Sequence, residues 1–335
     1  MAASSISTAS SVATALSDAT GSSRTTAPSG ALVVAKSGGK YSKIQDAVDA
    51  LSTSSTSPQS IFIEAGVYDE QVYIPSRKAS LSIYGYTKDT SSYEGNQVNI
   101  TYGLGLNSVS TDDETATVRA WSSNFKMYNV NLINTRGQGS QALAVSASAG
   151  DQGYYACQFH GYQDTILAET GSQLYARSLI VGSTDFIFGQ HATAWFSECD
   201  IRVLSASLGY VTASGRASSS DPSYYVLDHC TIDAFGGNSV DTGAYYLGRP
   251  WEDYARVAVQ DTSMSSVINS KGWSVWGSSD PNTDHVSFGE YGNTGAGAEG
   301  TRATFASKLS EPVAISSILG SGYASAEWVD TAYLS

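Results

Sequence analysis

Positive charge is scarce in this chain. Lys and Arg total 18 against 31 Asp and Glu in 335 residues, a formal net charge of −13 at pH 7. Such a surface opposes polyanions near neutrality, which excludes a nucleic-acid groove. Cysteine is scarce too: Cys157, Cys199 and Cys230 allow at most one bridge, and none belongs to a C-x-x-C pair. Four histidines without paired ligand spacing give no support to a metal site. No G-x-S-x-G occurs, which removes the nucleophile-elbow hydrolases. No run approaches 18 apolar residues, so no membrane-spanning helix is expected.

What is present is enough for a sizeable core, with 41% hydrophobic and 11% aromatic residues. The 21 tyrosines, the low lysine content and one N-x-T sequon at Asn99-Ile100-Thr101 lean toward a secreted protein. The N-terminus has neither a basic n-region nor a solid apolar stretch, so any secretory leader is expected to be missing from this start. Residues 1 to 28, rich in Ser, Thr and Ala, read as a flexible lead, and 29 to 335 as a single domain.

One short amphipathic helix is expected in SKIQDAVDAL, where Ile44, Ala47, Val48 and Leu51 share a face and Ser42 caps the start. The rest is a series of short β-rich runs, among them NFKMYNVNLINT, YYACQFHGY, LYARSLIVG and AWFSECDIRVL. These runs repeat. Laying 154–167 over 175–188 matches Tyr154 with Tyr175, Phe159 with Ile180, Gly161 with Gly182, Asp164 with Asp185 and Ile166 with Ile187. Cys157, Ser178 and Cys199 fall in one column, and a looser copy follows at Cys230-Thr231-Ile232. A period near 20 residues, with one small and one apolar column, points to an all-β fold, a parallel β-helix. The cysteines then read as a core ladder of small side chains.

In such a stack, Asp164 and Asp185 are neighbours roughly 4.8 Å apart, facing outward unless a kink intervenes at Gly161 and Gly182. Two readings stand on spacing alone. Both aspartates cap turns, or like-charge repulsion raises one pKa and makes a proton donor beside an ionised partner.

The surrounding motifs favour the second. GVYDE at 66–70, GSQALAV at 139–145, GYQDTIL at 161–167, DFIFG at 185–189, VTASGR at 211–216 and YLGRPW at 246–251 occur in that order. Together they resemble the pectin methylesterases, and QGYYACQFHGYQDT with DFIFGQHA resembles the fungal branch, over about residues 28 to 335.

That resemblance implies a right-handed parallel β-helix that removes methyl groups from galacturonate esters of pectin with no metal or organic cofactor. It implies Asp185 as nucleophile, Asp164 as the acid that protonates methanol and then takes a proton from water, and Gln141 and Gln163 as oxyanion donors. Arg249 would hold the nucleophile ionised, and Trp251 would face the sugar. Trp276, Tyr162, Phe186 and Tyr246 are further aromatic candidates for the sugar, each with core packing as the alternative. Glu70 and Arg216 match positions read as structural.

Rival readings are a pectate lyase or polygalacturonase, which need a Ca²⁺ carboxylate cluster or more widely separated carboxyls, and a wall-binding β-helix without catalysis. The expected partner is methyl-esterified pectin, with no nucleic acid, no membrane and a monomeric state. The acidic pI predicts an acidic working range, because the de-esterified product is itself an anion.

Overall fold

The computed structural model describes residues 21–334. Its strands form three parallel sheets of eleven, seven and eight strands among the described residues. Each full coil gives one strand to each sheet. One coil runs through Gln152–Tyr155, Gln158–His160 and Ile166–Ala168, and the next through Thr170–Ala176, Leu179–Gly182 and Ile187–Gly189.

The registers are those of the sequence repeat: Tyr154 on Tyr175, Phe159 on Ile180 and Ile166 on Ile187. The next copies keep the column, Ile180 on Ile201 and Ile201 on Ile232. Inside, Tyr154, Tyr175 and Phe196 stack with centroids 4.9 and 4.6 Å apart. Ser178 Oγ accepts the Cys157 amide at 3.0 Å within the small column. All three thiols are buried and unbridged, and burial pushes Cys157 up to about 12, which leaves it unreactive.

Several runs that read as single strands are two strands meeting at a corner. Asn129 separates Phe125–Tyr128 from Asn131–Asn134, and its φ is 53°. Ala156, Arg177, Glu198, His229 and Asp261 hold the equivalent corners with φ between 47° and 52°. One left-handed residue redirects the chain without a loop.

Two end features differ from expectation. The helix Ile44–Ala50 buries Ile44, Ala47 and Val48 as its periodicity requires, but its N-cap is Lys43 rather than Ser42 and makes no side-chain cap. Glu70, in the bend between strands Gly66–Asp69 and Val72–Ile74, supplies the cap, accepting the Ile44 and Gln45 amides at 2.8 and 3.0 Å. This gives GVYDE its structural role. The expected lead falls mostly in residues 1–20, outside the described residues. Residues 21–28 are not loose, since Arg24 is buried, pairs backbone to backbone with Thr87 and reaches Asn129 Oδ1 at 3.0 Å.

The C-terminal segment lies across the outside of the eleven-stranded sheet. Ile318, Leu319, Trp328 and Tyr333 pack there on Tyr128, Tyr155, Leu174 and Trp195. On the outer side of the seven-stranded sheet, Ser146, Leu167, Phe188 and Ala213 are buried and Tyr73 is exposed. Along that face Tyr73, Arg119, Ser146, Leu167, Phe188, Ala213 and Arg249 follow one another in register, one per coil. Among the described residues no helix is long and apolar enough to cross a membrane.

Candidate active site

Asp164 and Asp185 stand at the entrance to the seven-stranded sheet, each two residues ahead of paired Ile166 and Ile187. The Asp164 amide donates to Thr184 O at 3.0 Å, which sets the two aspartates on adjacent coils, about 4.8 Å apart. The kink lies at the aspartates themselves, with φ of 64° and 51°, a left-handed conformation that Asp tolerates. The glycines three residues before them serve packing instead. A Cβ on Gly182 would stand 2.3 Å from Phe186 Cβ, and one on Gly161 would stand 2.6 Å from Thr165 Oγ1.

Both carboxyls are buried, Asp164 at 7% exposure and Asp185 at 5%, yet only Asp185 is paired. Arg249 Nε and Nη2 donate to its two oxygens at 2.9 and 2.6 Å. The guanidinium is itself clamped, with Tyr210 and Trp276 rings each 4.1 Å from it. Burial pushes Asp185 above the usual carboxylate range, and the arginine offsets only part of that rise. The Asp164 carboxyl has no hydrogen-bond partner among the described residues. Burial first, then the charges of Asp185 and Asp112, hold it well above the usual range. The pair is therefore asymmetric: Asp185 is fixed by the fork, and Asp164, which has no such partner, is pushed up more strongly.

The Ala142 amide donates to Gln163 O at 3.1 Å, so Gln141 and Gln163 are neighbours on adjacent coils beside the aspartates. Neither side-chain amide has a hydrogen-bond partner among the described residues, so both can donate to a ligand.

The pectinesterase family's sequence model matches residues 31–310. This chain belongs to the pectinesterase family. A pectinesterase of Aspergillus niger is 60% identical over 313 residues, 93% of this chain and 94% of that protein. The crystal structure of the pectin methylesterase from Aspergillus niger matches with a TM-score of 0.86 at 42% identity, covering 93% of this chain and 100% of that one. Pectin methylesterase from carrot matches with a TM-score of 0.81 at 29% identity, covering 90% and 97%. The fold is the right-handed parallel β-helix of pectin methylesterases, and the protein is a carboxylic ester hydrolase acting on pectin.

Of the aromatic candidates, Trp251 and Trp276 pack half-buried on an outward apolar floor that includes Leu143, Leu167 and Phe188. Tyr246 stacks on Tyr210 at 5.9 Å and so backs the ring under Arg249. Tyr162 is half-buried, and its carbonyl accepts the Ser183 and Thr184 amides. Phe186 is a correction. It is fully buried in the main core, because the left-handed Asp185 resets the strand alternation and sends Phe186 and Ile187 both inward. It cannot stack on a sugar.

His160 bonds Gln158 and His191 bonds Asp221. Arg216 donates to the carbonyls of Ser219, Asp221 and Tyr254, which fits its structural reading. Ser214 Oγ accepts the Arg256 amide and its carbonyl accepts the Trp251 amide, so this position supports the tryptophan's strand.

Sequence reasoning missed Tyr210 and Asp112. The Thr111–Glu114 capping box marks a short helix, Asp112–Thr115, but nothing local shows that Asp112 faces Asp164. Asp112 Oδ1 is buried without a hydrogen-bond partner among the described residues. Its charge is one cause of the raised Asp164 pKa, so Asp112→Asn lowers that pKa. Asp164 then loses its proton at lower pH, and the alkaline limb of the pH–rate profile moves acidward. An unchanged limb in a profile of kcat against pH would refute the coupling.

Proposed function

We propose that the enzyme hydrolyses galacturonate methyl esters through a covalent intermediate on Asp185. The observation that carries this is the two-pronged Arg249–Asp185 pair beside the buried Asp164, whose carboxyl is unpaired and pushed up by burial and its acidic neighbours.

The Asp185 carboxylate attacks the ester carbonyl carbon, and the oxyanion receives N–H donors from Gln141 and Gln163. The C–O bond to the methoxy group breaks as Asp164 gives up its proton, releasing methanol and leaving an anhydride between Asp185 and the sugar carboxyl. Asp164, now a carboxylate, takes a proton from water while the hydroxide attacks the anhydride at the sugar carbonyl. Asp185 leaves as carboxylate, the sugar is left as the acid, and Asp164 regains its proton. No metal or organic cofactor enters these steps. The second carboxyl one coil away, rather than across a wider gap, favours this over glycosidic inversion.

Trp251 and Trp276 beside Arg249 support sugar contacts there. We assign this chemistry to one domain, residues 29–335, acting as a secreted monomer on pectin, with Asn99 as the glycosylation acceptor. Asn99 Oδ1 accepts from Asn131, which leaves its Nδ2 for the glycan.

The test is methanol release from highly methylated pectin, with viscosity and the absorbance of unsaturated ends followed on the same sample. Methanol without early viscosity loss or new absorbance is expected. Chain cleavage without methanol would overturn the reading in favour of glycosidic chemistry, and no signal in any channel would leave only a binding role.

A further inference from the structure

Two aromatic rings among the described residues are classed as exposed, Tyr73 at 38% and Trp121 at 42%, and they touch. Their centroids are 6.4 Å apart at 69°, edge to face. Both stand on the outward side of the seven-stranded sheet, at the exposed end of its row.

Their position relates them to the site. Ser148 N donates to Ala120 O, Glu169 N to Ala147 O, Gly215 N to Gly189 O and Trp251 N to Ser214 O. These bonds place Trp121, Ser148, Glu169, Gln190, Gly215 and Trp251 in one row along the stack. Trp121 lies two coils before the coil of Asp164, and Trp251 two coils after that of Asp185, about 10 Å in each direction. Tyr73 is one coil further out than Trp121.

The rings are also immobilised. Trp121 Nε1 donates to Asp113 Oδ1 at 2.8 Å, and Arg119 Nε donates to Asp113 Oδ2 at 2.9 Å. The Arg119 guanidinium lies over Tyr73, 5.0 Å from its centroid. Ser146 Oγ, in the same outward row as Arg119, donates to Asp113 Oδ1 at 2.7 Å. Fixing a large ring costs side-chain freedom, and folding recovers little of that when the ring stays in water. A ligand that covers the ring recovers it.

We propose that Tyr73 and Trp121 form a distal sugar platform, which binds galacturonan units of the same chain whose ester lies at Asp185. The proposal rests on galacturonan being the substrate, and the face's continuity with the catalytic row identifies the occupant. An aromatic face with a fixed polar edge suits the apolar face of a pyranose. The groove then has a tryptophan on each side of the catalytic pair, so a chain is gripped in both directions from the reacting ester.

The experiment measures kcat/KM on a ladder of methylated oligogalacturonides from short to long, for the wild type, Trp121→Ala and Tyr73→Ala/Trp121→Ala. The wild-type value should keep rising with chain length beyond the point at which the variants level off, with a final gap of about tenfold. Trp121→Phe, which keeps a ring but loses the bond to Asp113, should fall between them. Curves that level off at the same length would overturn the platform. So would a drop by one factor at every length, which would place the effect at the reacting centre or in the fold. A wild type silent on the whole ladder would refute the esterase itself, a result distinct from either.

Discussion

Asp185→Asn abolishes turnover while the β-helix persists. The amide has no charge with which to attack, and Asp164, one coil away, is pushed up by burial and by its acidic neighbours and has no guanidinium fork of its own. No second nucleophile stands in the Arg249 fork. A loss on the order of 10⁶-fold in kcat is expected, the scale seen when a nucleophile is removed from an otherwise intact acyl-transfer site. The fold survives because Asp185 contributes its side chain to the site and not to the core. Its amide analogue has the same shape and lacks the desolvation cost of a buried carboxylate. Methanol release and circular dichroism on one preparation check this. A native spectrum with more than a few per cent of wild-type turnover would exclude Asp185 as nucleophile.

Arg249→Ala has the second largest effect and a directional signature. Without the guanidinium, Asp185 keeps its burial and loses both charge-assisted hydrogen bonds, so its pKa rises further. Arg249 also lowers the Asp164 pKa, so that group rises too. The nucleophile needs its proton gone and the acid needs its proton kept. Raising both moves the acidic and alkaline limbs of the pH–rate profile together toward higher pH. At the wild-type optimum, kcat/KM should fall by about 10²- to 10³-fold. Part of it should return as pH rises. Arg249→Lys is not expected to restore activity, because an ammonium offers no planar fork and cannot lie flat between Tyr210 and Trp276. A loss of rate with both limbs unmoved would assign Arg249 to substrate contact rather than to Asp185.

Side chains that repeat from coil to coil were legible in the sequence, because each position contacts its own copy one strand away. Tyr154 over Tyr175 and Asp164 beside Asp185 follow from a 21-residue offset alone. Arg249 came from a motif, since its place in the fork depends on strands far apart in sequence. The corners were not legible. Ala156, Arg177 and Glu198 take left-handed φ with no glycine or asparagine to announce it, held there by the ladders on either side. The same effect at Asp185 turned Phe186 into the core. The Glu70 cap was hidden for a related reason, because its helix amides lie 25 and 26 residues away and meet it only after the coil has closed. Asp112 contacts the site through the tertiary fold alone.

The C-terminal segment changes how the stack can come apart. A solenoid whose coils touch only their neighbours behaves as a linear chain of units, free to fray from either end. Here the last residues cross back to early coils. Ser80 Oγ bonds Glu327 at 2.6 Å, Tyr333 OH bonds Thr90 O at 2.7 Å and Tyr155 OH bonds Trp328 O at 2.8 Å, across 247, 243 and 173 residues of sequence. The first coils cannot loosen without lifting the strap, and the strap cannot lift without exposing the aromatic face under it. The two ends are one cooperative unit, so the molecule resists unravelling and opens late and as a whole.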